Sequence, residues 1–144
     1  AASDVYKRQL LTIIVPLFHD GVQKLFQNDL EGTIAKYDII QNAKMYHEDI
    51  AVAKVDHTVG RIVAAQAADE LLNIIGIDTS FVLYPDGERV IISARSMGDT
   101  NVQVILEKLG GGGNAAAAGG QISGKSLSQV ATELTQAIDQ YLEG

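Results

Sequence analysis

Apolar positions recur at two periods along this chain, and the switches between them mark out its elements. Val22 to Phe26 reads as a short helix. Leu30, Ile34, Tyr37 and Ile40 then recur at helical spacing, which predicts a longer helix with one face buried, running to about Tyr46. Asn28 or Asp29 can cap it, with Glu31 placed to complete a capping box. The aromatic residues Tyr37 and Tyr46 are read as core. Ile50 to Val55 is a mostly apolar run suited to a buried strand, and His57 and Thr58 follow as a turn. Val59, Ile62, Val63, Ala67, Leu71 and Ile74 give the strongest helical stripe, which should end near Gly76. Thr79 to Tyr84 reads as the next strand. A strand, helix, strand sequence of this kind favours a parallel pair joined by a right-handed crossover.

The second half is punctuated more clearly. Tyr84-Pro85-Asp86-Gly87 predicts a tight turn, because proline presets φ and glycine accepts φ > 0, so a hairpin should follow. In the return strand, Arg89 to Ser96, a period of two puts Ile91, Ser93 and Arg95 on one face and Val90, Ile92, Ala94 and Ser96 on the other. Asn101 can cap a helix whose Val102, Ile105, Leu106 and Leu109 share a face, and Gly110 should stop it. Gln121 to Ser123 can form a last strand. Ser126 and Gln129 then make a capping box for a terminal helix with a continuous stripe from Leu127 to Leu142. The fold class expected is α/β, a mixed sheet of about four to five strands with helices packed on it.

Composition narrows the picture. A chain of 144 residues that is 47% hydrophobic can build one compact domain with a real core. Its formal charge of −7 argues against broad affinity for nucleic-acid backbones, though a few local donors can still hold a small phosphate. With no cysteine, disulfides, thiolate metal sites and cysteine nucleophiles are excluded. The longest apolar run, Leu10 to Phe18, falls well short of the roughly 20 residues of a spanning helix, and a cytoplasmic setting with no direct membrane contact is expected. Asp4 to Gln9 matches what one reading frame of a common transposon-based sequencing adapter encodes. Residues 1–21 are therefore expected to be a leader foreign to the domain, and 22–144 the domain itself.

Candidate chemistry is sparse. His19, His47 and His57 are scattered without metal-ligand spacing, and no nucleophile elbow or Walker lysine is present, Lys125 standing too far from the glycines. Asp69-Glu70 and Glu48-Asp49 read as solvated charges. Gly110-Gly111-Gly112-Gly113-Asn114, followed by Ala115 to Ala118, is the remaining signal. Glycines present bare amides to an anion, and the alanine run can start a helix whose first amides also point outward; a flexible linker is the plainer alternative. Arg95, at the end of its strand, can offer a fork of donors to a phosphate or carboxylate, or else pair with Asp99 or water.

Ser93-Ala94-Arg95-Ser96, Asn101-Val102-Gln103, Glu107-Lys108-Leu109 and the tetraglycine loop with its alanines together resemble the DHH-associated C-terminal domain of DHH-type phosphoesterases. Ala64 to Asp69, and its spacing to the serine-arginine motif, are most similar to the membrane-bound cyclic-di-AMP phosphodiesterases. The resemblance runs from about Val22 to the C-terminus. It implies a preceding DHH domain, covalently joined, that binds two manganese ions, while the stretch present here carries no cofactor and is not expected to be active alone. It also implies a cyclic dinucleotide or short linear nucleotide as ligand, and a place on the cytoplasmic side of the plasma membrane through other segments. A homodimer is among the assemblies it allows. Carried onto this chain, the substrate contacts fall on Arg95 as phosphate clamp and on the amides of Gly110, Gly111, Gly112 and Gly113, with Ser93, Ser96 and Asn101 as weaker candidates. Arg95 and the glycine bend should then share one pocket. Where the family loop commonly ends in histidine this chain has Asn114, which can hydrogen-bond but cannot exchange a proton near neutral pH. A soluble oligoribonuclease or 3′-phosphoadenosine phosphate phosphatase of the same superfamily, or a non-catalytic nucleotide-binding regulatory domain, are the alternatives.

Overall fold

The computed structural model describes residues 29–144 and divides the chain into two units, Ala1–Thr33 and Ile34–Gly144. The expected helix at Val22 to Phe26, the leader at 1–21 and His19 lie outside the described residues. The elements are α1 (Leu30–Gln41), β1 (Ala43–His47), β2 (Ile50–Lys54), α2 (Arg61–Leu71), β3 (Thr79–Asp86), β4 (Arg89–Ser96), α3 (Val102–Glu107), β5 (Gly112–Gly113), β6 (Ala117–Ser123) and α4 (Leu127–Glu143). Among the described residues six strands form one sheet in the order β1-β2-β3-β4-β6-β5. The pair β2/β3, bridged by α2, is parallel, and the others are antiparallel. The class is the mixed α/β expected, with a slightly larger strand count.

Alternation along the strands builds two cores. Phe81 and Leu83 of β3 and Val90, Ile92 and Ala94 of β4 face α3 and α4, where Ile105, Leu106, Val130, Leu134 and Ile138 close over them. Val82, Tyr84 and Ile91 face the opposite way, toward Ile39 of α1 and Ala64, Ala67, Ala68 and Leu71 of α2. Small residues on α2 let it lie close to the sheet. Ser80, fully buried, donates its hydroxyl to the Ala68 carbonyl at 2.6 Å and pins the two together.

Local signals operate as the sequence implies at several ends. Asn101 Oδ1 accepts from the amides of Gln103 and Val104, and Ser126 and Gln129 form a reciprocal capping box. Gly87, at φ 63°, opens the two-residue loop between paired Asp86 and Arg89. Pro85 sits inside β3, where β2 has already ended, so its missing amide costs no ladder bond.

Other expectations are corrected. α1 stops at Gln41 rather than near Tyr46, and Ala43–His47 is an edge strand because β2 offers it a ladder. Asp29 caps α1 through Gly32 rather than through a box with Glu31, since Glu31 is one residue short of the position that closes such a box. The stripe Leu30, Ile34, Tyr37 is largely exposed, and Ile39 is the buried residue of the helix; Tyr37 and Tyr46 are not core. α2 ends at Leu71, leaving Ile74 and Ile75 in a turn that closes at Gly76, while Ile62 points to solvent. The alanines after the glycine loop form no helix: Ala117 and Ala118 begin β6, which runs far earlier than Gln121 because β4 pairs along its whole length.

Candidate functional site

The α2 side of the sheet is only partly covered. α2 packs over β3 and β4, so the face of β4 and β6 beyond it stays open. Along β4 the residues aimed there are Ile91, Ser93 and Arg95, opposite Gln121, Gly119 and Ala117 of β6. Because Gly119 has no side chain and Ser93 a short one, a cavity of about 290 Å³ opens between Tyr84, Ile91, Ser93, Gly119, Gln121 and the first turn of α2.

Arg95 lies beside this cavity, with its side chain 22% exposed. Its Nε–H meets Asp69 Oδ1 at 3.1 Å, and Nη1 donates to the Ala94 carbonyl at 2.8 Å and to Ser93 Oγ at 3.4 Å. Its partner is Asp69, eight residues along α2 from Arg61, and neither Asp99 nor water alone. Nη2 makes no hydrogen bond among the described residues. The guanidinium is thus pre-set by three contacts with part of its donor fork still unspent. Asp69 itself is 64% exposed, which is why it reads from sequence as a solvated charge, and the screening at such a site lets an incoming anion compete for the arginine.

The remaining candidates divide. Ser93 shares the face and the neighbourhood of Arg95. Ser96 points to the other face, is 6% exposed, and its hydroxyl accepts from Thr79 Oγ1 and the Gly98 amide, each at 3.4 Å. Burial takes it away from any ligand at Arg95. Asn101 is consumed as the cap of α3, and its own amide donates to Tyr141 Oη at 3.0 Å.

The glycine loop is an edge strand more than a bowl. The amide of Gly110 donates to Glu107 and that of Gly111 to Leu106, which closes the C-terminus of α3. Gly112 and Gly113 pair with Gly119 and Ala118 of β6. Asn114 donates to the Ala117 carbonyl at 2.8 Å; by the alternation of an antiparallel ladder, Gly112 is then bonded inward and Gly113 presents its amide at the free edge. Close approach explains two of the four glycines: a Cβ on Gly111 would collide with the Gly119 carbonyl oxygen, and one on Gly113 would lie 2.6 Å from Ala118 Cα at a φ of +145°. The Asn114 side chain holds the bend, Oδ1 accepting from the amides of both Ala116 and Ala117 at 2.9 Å. Three of the amides expected to face a phosphate are therefore engaged within the chain.

Arg95 and the glycine edge sit at one end of the sheet but not side by side. Strand β6 runs between them, so their backbones are two strand spacings apart, about 10 Å. None of the Arg95 hydrogen bonds reaches a glycine.

A separate polar cluster ties the first strand to the last helix. Asp139 accepts from Tyr46 Oη at 2.8 Å and lies 3.1 Å from His47 Nε2. The His47 contact, and then the Tyr46 hydroxyl, hold the Asp139 carboxyl below its ordinary 3.8, while the same hydrogen bond pushes the Tyr46 phenol up. His57 lies near Asp38 and Asp56 on the surface, and Lys125 pairs with Glu133. Among the described residues no three His, Cys, Asp or Glu side chains converge as a metal site, so these residues do not fit a metal pair. No described helix is long and apolar enough to cross a membrane.

Comparison with known proteins places the chain. Residues 47–144 match the DHHA1 domain. The chain is 37% identical over 126 residues to a cyclic-di-AMP phosphodiesterase, PdeA, of Listeria monocytogenes, and 39% identical over 128 residues to one named GdpP of Bacillus subtilis. Each match takes in 85% of this chain and 19% of the relative, so the chain spans about a fifth of the length of these proteins. In fold it is similar to an exopolyphosphatase-related protein from Bacteroides fragilis, with a TM-score of 0.73, 21% identity, and coverage of 93% of this chain and 44% of the other. It is also similar to a pGpG-specific phosphodiesterase from Vibrio cholerae, with a TM-score of 0.54, 20% identity, and coverage of 76% and 39%. On the match through β3, β4, the glycine edge and α4, the chain belongs to the DHHA1 domain family, in the form carried by relatives of the cyclic-di-AMP phosphodiesterases.

Proposed function

We propose that this chain is the nucleotide-holding part of a DHH-type phosphodiesterase acting on cyclic-di-AMP or its linear dinucleotide product. The observation that carries the reading is Arg95, a half-sheltered guanidinium fixed by Asp69 and Ala94 with donors left over, beside an open cavity in an otherwise acidic chain. A phosphate oxygen meeting the free side of that fork gains a charge-assisted hydrogen bond in a site shielded on one side by α2. Ser93 Oγ, next to it, adds a donor. The Gly113 amide stands across β6, where it meets only a ligand long enough to span the strand.

In this reading the bond-breaking chemistry belongs to a separate, covalently linked DHH domain, whose two manganese ions would activate the attacking water. This chain's own residues bind and orient. Asn114 takes no part in proton transfer, since an amide side chain has no proton to exchange near neutral pH and its oxygen is committed to the bend. The assembly would work on the cytoplasmic side of the plasma membrane.

The test is titration of the chain with cyclic-di-AMP and with its linear product, comparing wild type with Arg95→Ala. Loss of the clamp should weaken binding by about 1.5–3 kcal/mol, the range for a hydrogen bond to a charged group. The melting temperature should fall only modestly, because the Asp69 partner of the ion pair is 64% exposed and screened by solvent. Equal affinity of the two proteins would remove Arg95 from the site and the reading with it.

A further inference from the structure

The α4 side of the sheet has a margin that the helix does not close. Where β1 and β2 meet α4, a cavity of about 420 Å³ opens, larger than the one beside Arg95 and within the roughly 300–1,000 Å³ of small-molecule clefts. Lys44, Tyr46, Val52, Lys54, Ala131 and Thr135 line it. Val52 and Ala131 give it an apolar floor that is itself packed on the core cluster of β3, β4, α3 and α4. One wall is fixed, because the Tyr46 hydroxyl donates to Asp139 of α4 at 2.8 Å and His47 meets the same carboxylate.

The polar groups around this space divide into spent and unspent ones. Tyr46 is committed to Asp139, Thr135 Oγ1 donates to the Thr132 carbonyl, and the Asn42 amide nitrogen donates to the Asp38 carbonyl. Lys44 and Lys54 make no hydrogen bond or ion pair among the described residues. Lys44 stands opposite Val52 in the β1/β2 ladder and Lys54 is two residues further along β2, so the two share a face as diagonal neighbours about 7–8 Å apart. Their stems are long enough for both ammoniums to reach one point above Val52. The carboxylates of the adjoining cavity, which shares Lys54, are turned elsewhere: Asp38 and Asp56 lie 3.4 and 3.3 Å from His57.

Two like charges aimed at one space repel, and a chain with 18 carboxylates against 11 lysines and arginines has many other ways to neutralise them. An anion between them removes the repulsion and gains charge-assisted hydrogen bonds from both. The floor supplies the other half of the recognition. A bare inorganic anion gains nothing from Val52 and Ala131, and a neutral apolar molecule gains nothing from the lysines.

We propose that this cavity binds a small organic anion, a carboxylate or phosphate ester on an apolar body, with Lys44 and Lys54 gripping the charge while the body rests on Val52 and Ala131. It is a second site, on the opposite face of the sheet from Arg95 and separated from β4 by β3. Nothing in it depends on the reading of Arg95.

The experiment follows amide, methyl and lysine side-chain resonances of the 144-residue chain with four probes: hexanoate, phenyl phosphate, inorganic phosphate and 1-hexanol. Hexanoate and phenyl phosphate should shift Lys44, Val52, Lys54 and Ala131 together, and bind there about tenfold more tightly than inorganic phosphate or hexanol. The double variant Lys44→Gln/Lys54→Gln, at two exposed positions, should lower hexanoate affinity about tenfold and leave the melting temperature unchanged. Three results would each overturn the proposal. Hexanol binding as tightly as hexanoate would leave the charges without a role, and unchanged hexanoate affinity in the double variant would detach the lysines from the site. Phenyl phosphate shifts confined to Ser93 and Arg95, with none at these four residues from hexanoate at tens of millimolar, would leave the cavity without a ligand.

Discussion

The two faces of the sheet were given different work. Toward α3 and α4, large aliphatic side chains from β3, β4 and β6 meet those of two helices, and buried Leu, Ile and Val fill the space. Toward α2 the helix contributes mainly alanines and Leu71 against Val82, Tyr84 and Ile91, with Ser80 pinning it, and its cover stops partway across the sheet. The closed face supplies most of the apolar burial. That surplus allows the other face to keep a guanidinium and an empty space, neither of which stabilises a fold. The difference teaches where to look for ligand binding in a small α/β domain: on the face whose covering helix is alanine-rich and leaves part of the sheet bare.

The comparison can be broken most severely on the closed side. Leu134→Ala, at a fully buried position on α4, should destabilise the chain by about 3 kcal/mol through lost transfer energy and a residual cavity, read by urea denaturation. An effect below about 1 kcal/mol would mean that the two faces share the burden more evenly than described. On the open side, Gly113→Ala meets both a positive φ and the Ala117–Ala118 backbone. It should cost about 2 kcal/mol and raise the exchange rates of the Asn114 and Gly112 amides as β5 peels from β6. Unchanged exchange would show that β5 tolerates a side chain and that its glycines serve something other than close approach.

The smallest effect concerns the Tyr46–Asp139–His47 clasp at the margin of the closed face. Since the folded Asp139 carboxyl titrates below 3.8, its contribution is present above that pH and fades as pH falls through the lower folded value. Wild type should therefore lose slightly more melting temperature than Asp139→Asn between pH 5 and pH 3, roughly the window where an ordinary aspartate titrates. Parallel pH profiles for the two proteins would assign the clasp no role in stability.

Much of this was legible where a local rule decides the outcome. The caps at Asn101 and Ser126, the turn after Pro85 and the two-face reading of Arg89–Ser96 each depend on neighbours within a few residues. That same alternation already separates Ser96 from Arg95, so the burial of Ser96 follows from the pattern that nominated it. Elements made by long-range pairing were hidden. Ala43–His47 has no strand-like composition, and Ala117–Gly120 has none of the branched or aromatic residues that mark strands; partners β2 and β4 impose the conformation. Asp69 as the partner of Arg95, and the cavity beside them, exist only once α2 has been laid across β3 and β4. No spacing in the chain announces either.

Both borders of the sheet also refuse company. On one side the last strand is only two glycines long, which gives an incoming chain too little ladder to template on. At the opposite border, Lys44 and the register slip between Met45 and His47 interrupt the row of free backbone groups. A six-stranded sheet with an open flank would otherwise invite edge-to-edge aggregation; here the ladder terminates itself, so the exposed flank can remain available to ligands without turning the protein into a seed for fibrils.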